Sequence, residues 1–248
     1  MTSGSWRRVR IAAMPEQISS IAANPARVRE RIVRAAERAG RRADEITLVA
    51  VSKAFPAEAI RAAYDAGLRD FGENRVQEFE AKHAKLGDLD ATWHLIGHLQ
   101  SNKAKRAAQL FNRVDSVDSL ALAQKLDLAA DDQEKRLPVL IEVHLGGEAP
   151  KGGVAEADLA SLAESISALA HLELRGLMTV PPYSDDAERV RPYFRRLREL
   201  RDELSHQLAR PLPALSMGMS HDFEIAIEEG ATEIRLGTAL FGGRKKNE

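Results

Sequence analysis

Ile46-Thr47-Leu48-Val49-Ala50-Val51-Ser52-Lys53-Ala54-Phe55-Pro56 is the stretch on which the reading of the fold turns. Residues 46–51 make a short apolar run rich in β-branched side chains, the mark of a buried strand. Lys53 follows directly. Pro56 suits the first turn of a helix, where its missing N–H is no loss. That helix is expected to reach about Ala66 and to stop at Gly67. Upstream, residues 16–40 read as an opening helix, with Ile18, Ile21, Val28 and Ile32 at apolar positions and Gly40 at its end.

The alternation continues downstream. Strands are expected at 69–71, 92–96, 113–116, 138–143, 172–178, 213–217 and 232–236. Helices are expected at 76–85, 101–110, 119–130, 156–168, 187–208 and 222–229. Apolar residues at helical spacing support them, as with Leu159, Leu162, Ala163 and Ile166. Strands separated by helices predict a parallel sheet, because parallel neighbours need crossover connections. About eight such units in roughly 200 residues fit one domain, a closed (β/α)8 TIM-like barrel. An open doubly wound sheet is the alternative, but no glycine-rich dinucleotide fingerprint follows the first strand.

Composition narrows the function. Of 248 residues, 36 are Lys or Arg and 37 Asp or Glu, so no charge excess points to nucleic acid or to a membrane. Cysteine is absent, which excludes disulfides, thiolate nucleophiles and cysteine-ligated metals. No apolar run is long enough to cross a bilayer. Residues 1–14 carry Arg7, Arg8 and Arg10 but no apolar core of a signal peptide. They are expected to be a floppy leader, with Met14 as a second possible start and the barrel occupying 15–248. The expected location is cytoplasmic.

Barrel enzymes carry their chemistry at the C-terminal ends of the strands. Lys53 ends the first strand, so its stem starts inside the barrel. Partial desolvation would make it a nucleophile toward aldehydes; the plainer reading is a solvated lysine at a strand edge. Ser220 falls at a helix N-terminus after the seventh strand, where exposed N–H groups attract anions. Gly237 and Thr238 follow the eighth, offering close backbone approach and a hydroxyl. Taken singly, Ser220 reads as a helix cap and Gly237 as a turn residue. Together they fall where barrels bind phosphate. Closure also brings Arg235 and Lys53 to neighbouring strands. A phosphate cradle beside an amine is what pyridoxal 5'-phosphate (PLP) requires.

At these residues the sequence strongly resembles the pyridoxal phosphate homeostasis protein family, single-domain relatives of the alanine racemase barrel. The matching segments are Val51-Ser52-Lys53, Phe71-Gly72-Glu73-Asn74-Arg75-Val76-Gln77-Glu78 and Trp93-His94-Leu95-Ile96-Gly97-His98-Leu99-Gln100-Ser101-Asn102-Lys103. Further ones are Gly176-Leu177-Met178-Thr179, Ser216-Met217-Gly218-Met219-Ser220 and Arg235-Leu236-Gly237-Thr238-Ala239-Leu240-Phe241-Gly242. The resemblance implies an alanine racemase N-terminal-domain type of barrel with PLP as a Schiff base on Lys53. It implies that Ser220, Gly237 and Thr238 hold the phosphate, that Arg235 faces the pyridine nitrogen, and that Asn74, His94 and Met217 line the pocket. An arginine keeps its proton, so the ring nitrogen would stay unprotonated and PLP would be a weaker electron sink. The sequence departs from the family at His144, where Asn is usual, and in the glycine-rich loop 146–153.

The resemblance implies control of PLP supply: binding, buffering and passing it to PLP-dependent apoenzymes. Barrel-type racemases add a second domain whose tyrosine comes from a partner chain. Racemisation needs acid/base groups on both faces of the carbanion, and of Tyr64, Tyr183 and Tyr193 none falls in a matching segment. A carrier rather than an enzyme is therefore expected, and a monomer. The alternatives are a PLP-dependent amino acid racemase or other PLP enzyme of low activity, and a metal hydrolase using His94 and His98, whose segment reads as a strand and not as a helix. His171, His206 and His221 read as surface or packing residues. Lys103 and Lys105 read as solvated rather than as a second PLP site, and Arg244-Lys245-Lys246 as a frayed basic end.

Overall fold

The computed structural model describes residues 6–146 and 152–243, with residues 6–19 as backbone only. The opening helix α1 is Trp6–Arg38, starting ten residues before the expected residue 16. It takes in residues 6–14, set apart above as a leader: Arg, Ala and Met there are good helix formers, and each residue added to an existing helix gains a hydrogen bond. Residues 1–5, most of the glycine-rich loop (147–151) and Arg244-Lys245-Lys246 lie outside the described residues.

Strand β1 (Thr47–Val51) leads to α2 (Ala57–Asp65), then β2 (Asp70–Glu73), α3 (Val76–His83), β3 (Thr92–Leu95) and α4 (Ala104–Leu110). Next come β4 (Arg113–Val117), α5 (Leu120–Asp131), β5 (Leu137–His144), the two-residue β6 (Val154–Ala155) and α6 (Leu159–Ser167). The chain ends with β7 (Leu172–Met178), α7 (Arg191–Gln207), β8 (Ala214–Ser216), α8 (Phe223–Glu228), β9 (Glu233–Leu236) and α9 (Thr238–Phe241). The expected helices at 101, 156 and 187 each open with a turn of 3-10 helix. Helix α7 shows why such segments are helical: Phe194, Leu197, Leu200 and Leu204 recur every three or four residues and are buried, while the other face is charged.

All strand pairs are parallel. The order is β4-β3-β2-β1-β9-β8-β7-β5, and β4 pairs with β5, so eight strands close into a barrel with β6 appended to β5. The expected (β/α)8 barrel is the fold. No helix of the described residues is long and apolar enough to cross a membrane.

Alternation along each strand divides the side chains. Ala50, Phe71, Trp93, Leu95, Val114, Leu215, Ile234 and Leu236 face the helices and join the main apolar core. The opposite set fills the barrel and is heavily charged. In the ring of eight, β4 and β9 stand opposite each other. Arg113 on β4 reaches across and donates two hydrogen bonds to Glu233 on β9, at 2.9 and 2.8 Å. Its Nε donates to Asp115 at 2.6 Å. His94 sits between Asp70 (3.0 Å) and Asp115 (3.3 Å). Burial holds the Asp115 carboxyl up, but Arg113 and His94 outweigh it and keep its pKa below the usual range.

Burial by itself would lower the His94 pKa, but the hydrogen bonds to Asp115 and Asp70 win and raise it to about 9. Its pKa in the unfolded chain is about 6.5. A raised folded-state pKa stabilises fully below about pH 6.5, and the gain is lost as pH rises through about 9. The shift corresponds to roughly 3 kcal/mol. Denaturant unfolding of wild type and His94→Gln should therefore differ most at pH 6, with the wild-type advantage shrinking by roughly 3 kcal/mol toward pH 10. A difference independent of pH would show that folding leaves the His94 pKa where it is in the unfolded chain.

Candidate functional site

The strand ends converge on a cleft of about 440 Å3 at the C-terminal mouth of the barrel. Of the expected site residues, Lys53, Asn74, Ser220, Arg235, Gly237 and Thr238 all line it. They come from the ends of β1, β2, β8 and β9.

Lys53 continues the inward series of Val49 and Val51 on β1. The loop it opens is strained. Ala54 has φ +65°, a left-handed conformation unusual for a residue with a Cβ and one that costs about 1–3 kcal/mol. A partly buried cluster holds the loop in place. The Ala54 N–H donates to the Glu78 carboxylate. Lys82 donates to the carbonyls of Ser52 (3.3 Å) and Phe55 (3.2 Å). It also binds Glu73 at 2.7 Å and Glu78 at 3.2 Å. Ser52 Oγ donates to the same Glu73 oxygen at 2.7 Å, and Phe55 stacks on Phe241 with ring centroids 4.7 Å apart. Burial pushes the Glu73 carboxyl above its usual range, against Lys82 and Ser52. At Glu78, burial pushes up too, but the Ala54 N–H and Lys82 bring it below that range. Every residue flanking Lys53 is thus tied to β2 or α3.

Sequence reading did not find this clamp. Lys82 stands 29 positions after Lys53 on a separate helix, and only the folded chain brings it back. The one available signal was chemical: Glu73, Glu78 and Lys82 at five- and four-residue intervals bracket the start of α3.

The loops after β8 and β9 meet at Ser220, whose Oγ accepts from the Ala239 N–H at 3.2 Å. Gly218 has φ +93°, and a Cβ there would lie 2.6 Å from the Ala226 Cβ, so only glycine permits this turn against α8. At Gly237 a Cβ would meet the protein no closer than 3.6 Å, so its missing side chain leaves the cleft itself open.

Arg235 forms the cleft floor. It is 4% exposed and donates to Ser216 Oγ at 2.7 Å and to the Thr179 carbonyl at 2.8 Å. Burial lowers its pKa, opposed by the carboxylates of Asp115, Glu142, Glu233 and Asp222. Asn74 Oδ1 lines the cleft region as a buried acceptor with no hydrogen-bond partner.

His94 and Met217 were expected to line the pocket and do not. His94 points inward but one layer too deep; Ile96, two residues on, reaches the cleft instead. Met217 is fully buried in the core beneath the helices, because Ser216 takes the inward position beside Arg235. His94 and His98 do not converge as a metal pair, since His98 lies on the rim against Asp118 at 3.2 Å. One oxygen or nitrogen each of His94, Asp115 and Glu233 lies within 4.8 Å of the others, but the cation among them is Arg113. Lys105 pairs with Asp132 at 2.8 Å, away from the cleft.

A half-buried, amine-bearing strand end, a two-loop cradle and a buried arginine floor share one barrel mouth, and the barrel is of the alanine racemase N-terminal-domain class. Residues 23–245 match the family model described as alanine racemase, N-terminal domain. The chain is 52% identical over 219 residues to the pyridoxal phosphate homeostasis protein of Aquifex aeolicus, covering 88% of this chain and 96% of the relative. It is 48% identical over 227 residues to the protein of that name in Pseudomonas aeruginosa, covering 92% and 97%. Among solved structures it is similar to PipY of Synechococcus elongatus with PLP bound, at TM-score 0.80 and 43% identity, covering 90% of this chain and all of that one. The chain belongs to the pyridoxal phosphate homeostasis protein family.

The clamp can be tested by a double-mutant cycle. Lys82→Met leaves the Glu73 charge buried without its partner and should destabilise by about 3 kcal/mol. Adding Glu73→Gln to Lys82→Met should recover more than half of that loss in urea unfolding. Additive losses would mean that the two residues do not act as a pair.

Proposed function

We propose that this cleft binds PLP with Lys53 as its covalent anchor, and that the protein serves intracellular PLP homeostasis by binding, buffering and supplying it. The observation that carries the reading is the convergence of Lys53, the Ser220–Gly237–Thr238 cradle and Arg235 on one cleft. The names of the Aquifex and Pseudomonas relatives and the PLP held by PipY support it.

The residues fit the group. When bound, PLP supplies an aldehyde for an amine to condense with and a ring that withdraws electrons. The Ser220 hydroxyl, the Thr238 hydroxyl and the open backbone at Gly237 suit a phosphate. The unpartnered Asn74 oxygen is an acceptor awaiting a donor. Arg235, anchored by Ser216 and Thr179, keeps its proton toward a ring nitrogen. That holds the nitrogen as an acceptor and weakens electron withdrawal, which suits storage better than turnover. The clamp from Lys82 holds the Lys53 loop at the cleft wall. In this reading the protein acts in the cytoplasm as a monomer, its recipients are PLP-dependent apoenzymes, and neither nucleic acid nor membrane is a partner.

The test is to incubate purified protein with PLP, reduce with borohydride, digest and locate the pyridoxyl adduct by mass spectrometry. The expected result is an adduct on the Lys53 peptide that Lys53→Ala abolishes there. Absence of any adduct, or an adduct elsewhere with Lys53 unmodified, overturns the anchor. The same protein should leave either alanine enantiomer unchanged over hours; rapid racemisation would make it an enzyme.

A further inference from the structure

Tyr183 is 76% exposed, the highest value for a large apolar side chain among the described residues, and it lines the cleft. Val180, 50% exposed, lines it too. Five such side chains are exposed among the described residues, and two of them stand at this one mouth. Leaving such apolar area in water is unfavourable. Ligand pockets, by contrast, use apolar and aromatic walls.

The segment that carries them is stiff. Pro181 and Pro182 fix their own φ angles. Thr179 Oγ1 donates to the Val143 carbonyl at 2.8 Å before it, and Asp186 accepts from the Glu188 N–H at 3.0 Å after it. The Tyr183 hydroxyl donates to Asp185 at 3.0 Å. Its ring packs on the His221 ring, centroids 5.7 Å apart at 35°. His221 is exposed and packs on Tyr183, the surface and packing residue that its sequence context suggests, and because it directly follows Ser220 it also lines the same cleft. The loop after β7 thus contacts the loop after β8 through two rings at the mouth.

We propose that Tyr183 and His221 form an aromatic rim that packs on the occupant of the cleft and sets how slowly it leaves. The inference rests on the function proposed above, with a flat, phosphate-bearing aromatic aldehyde as the occupant. Release consumes one water. The bond to Lys53 Nζ breaks, the water oxygen becomes the aldehyde oxygen, and the two hydrogens finish on the lysine amine. The freed molecule must then pass the rim. Burying the exposed Tyr183 ring against it favours the bound state.

The test uses PLP-loaded full-length protein whose adduct on Lys53 has first been verified by reduction and mapping; failure there would count against the proposed function and not against the rim. Release into an excess of an apoenzyme that needs PLP is then followed by the visible absorbance of the loaded protein. Tyr183→Ala should release about five- to tenfold faster, the scale of one lost aromatic contact. His221→Ala should behave alike, and the double variant should add little, because the rings act as a pair. Tyr183→Phe, which keeps the ring and loses the Asp185 bond, should stay within about twofold of wild type. Association should be unchanged throughout. Release from Tyr183→Ala within twofold of wild type overturns the proposal, as does association accelerated as much as release, which would make the segment a steric barrier. Tyr183 is mostly in water, so its variants should keep the wild-type Tm to within about 2 °C.

Discussion

A bidentate ion pair crosses the barrel from side to side, and much of the rest is arranged around it. Arg113 and Glu233 come from strands on opposite sides of the ring. Burying two charges is expensive unless their remaining hydrogen bonds are met. Here they are largely met. Asp115 takes the third face of Arg113, and His94 links Asp115 to Asp70. The lower barrel is therefore a charged and hydrogen-bonded plug rather than a layer of branched apolar side chains.

That plug shapes what lies above it. Arg235 is two residues beyond Glu233 on β9 and faces the same interior. The carboxylates beneath and beside it oppose the burial that would strip its charge. Gly72 lies between Val49 and Ile96, and Gly237 leaves the rim open. The cleft opens where the filled floor meets the loops after the strands, among them the Ser220, Gly237 and Thr238 segment and the rim that carries Tyr183. Helix α1 secures the far side of the cradle: Asn24 donates to the Leu240 carbonyl at 2.8 Å, and Arg31 lies over the Phe223 ring at 4.5 Å.

Much of this was legible one strand at a time. The apolar runs located the eight barrel strands to within a residue or two, since a strand buried by helices on one side and a plug on the other leaves little choice. The residues just beyond β1, β8 and β9 supplied Lys53, Ser220, Gly237 and Thr238. Period-two alternation could have excluded Met217: Ala214 and Ser216 are small or polar and face inward, while Leu215 and Met217 are apolar and face the helices. For His94 alternation gives the right direction but no depth. Depth depends on how neighbouring strands are staggered around the ring, a property of the closed barrel.

The amino-acid sequence by itself determined the barrel and the order in which chemistry-bearing residues arrive at its mouth. Hydrophobic periodicity and turn residues act over a few positions and need no distant partner. Only the tertiary structure decided which charges neutralise one another, which lysine steadies Lys53 and which ring stands over the cleft. Arg113 and Glu233 are 120 positions apart, Ser52 and Lys82 are 30, and Tyr183 and His221 lie on different crossover units. Electrostatic pairing and ring packing depend on distance in space, and that distance is set by closing the sheet on itself.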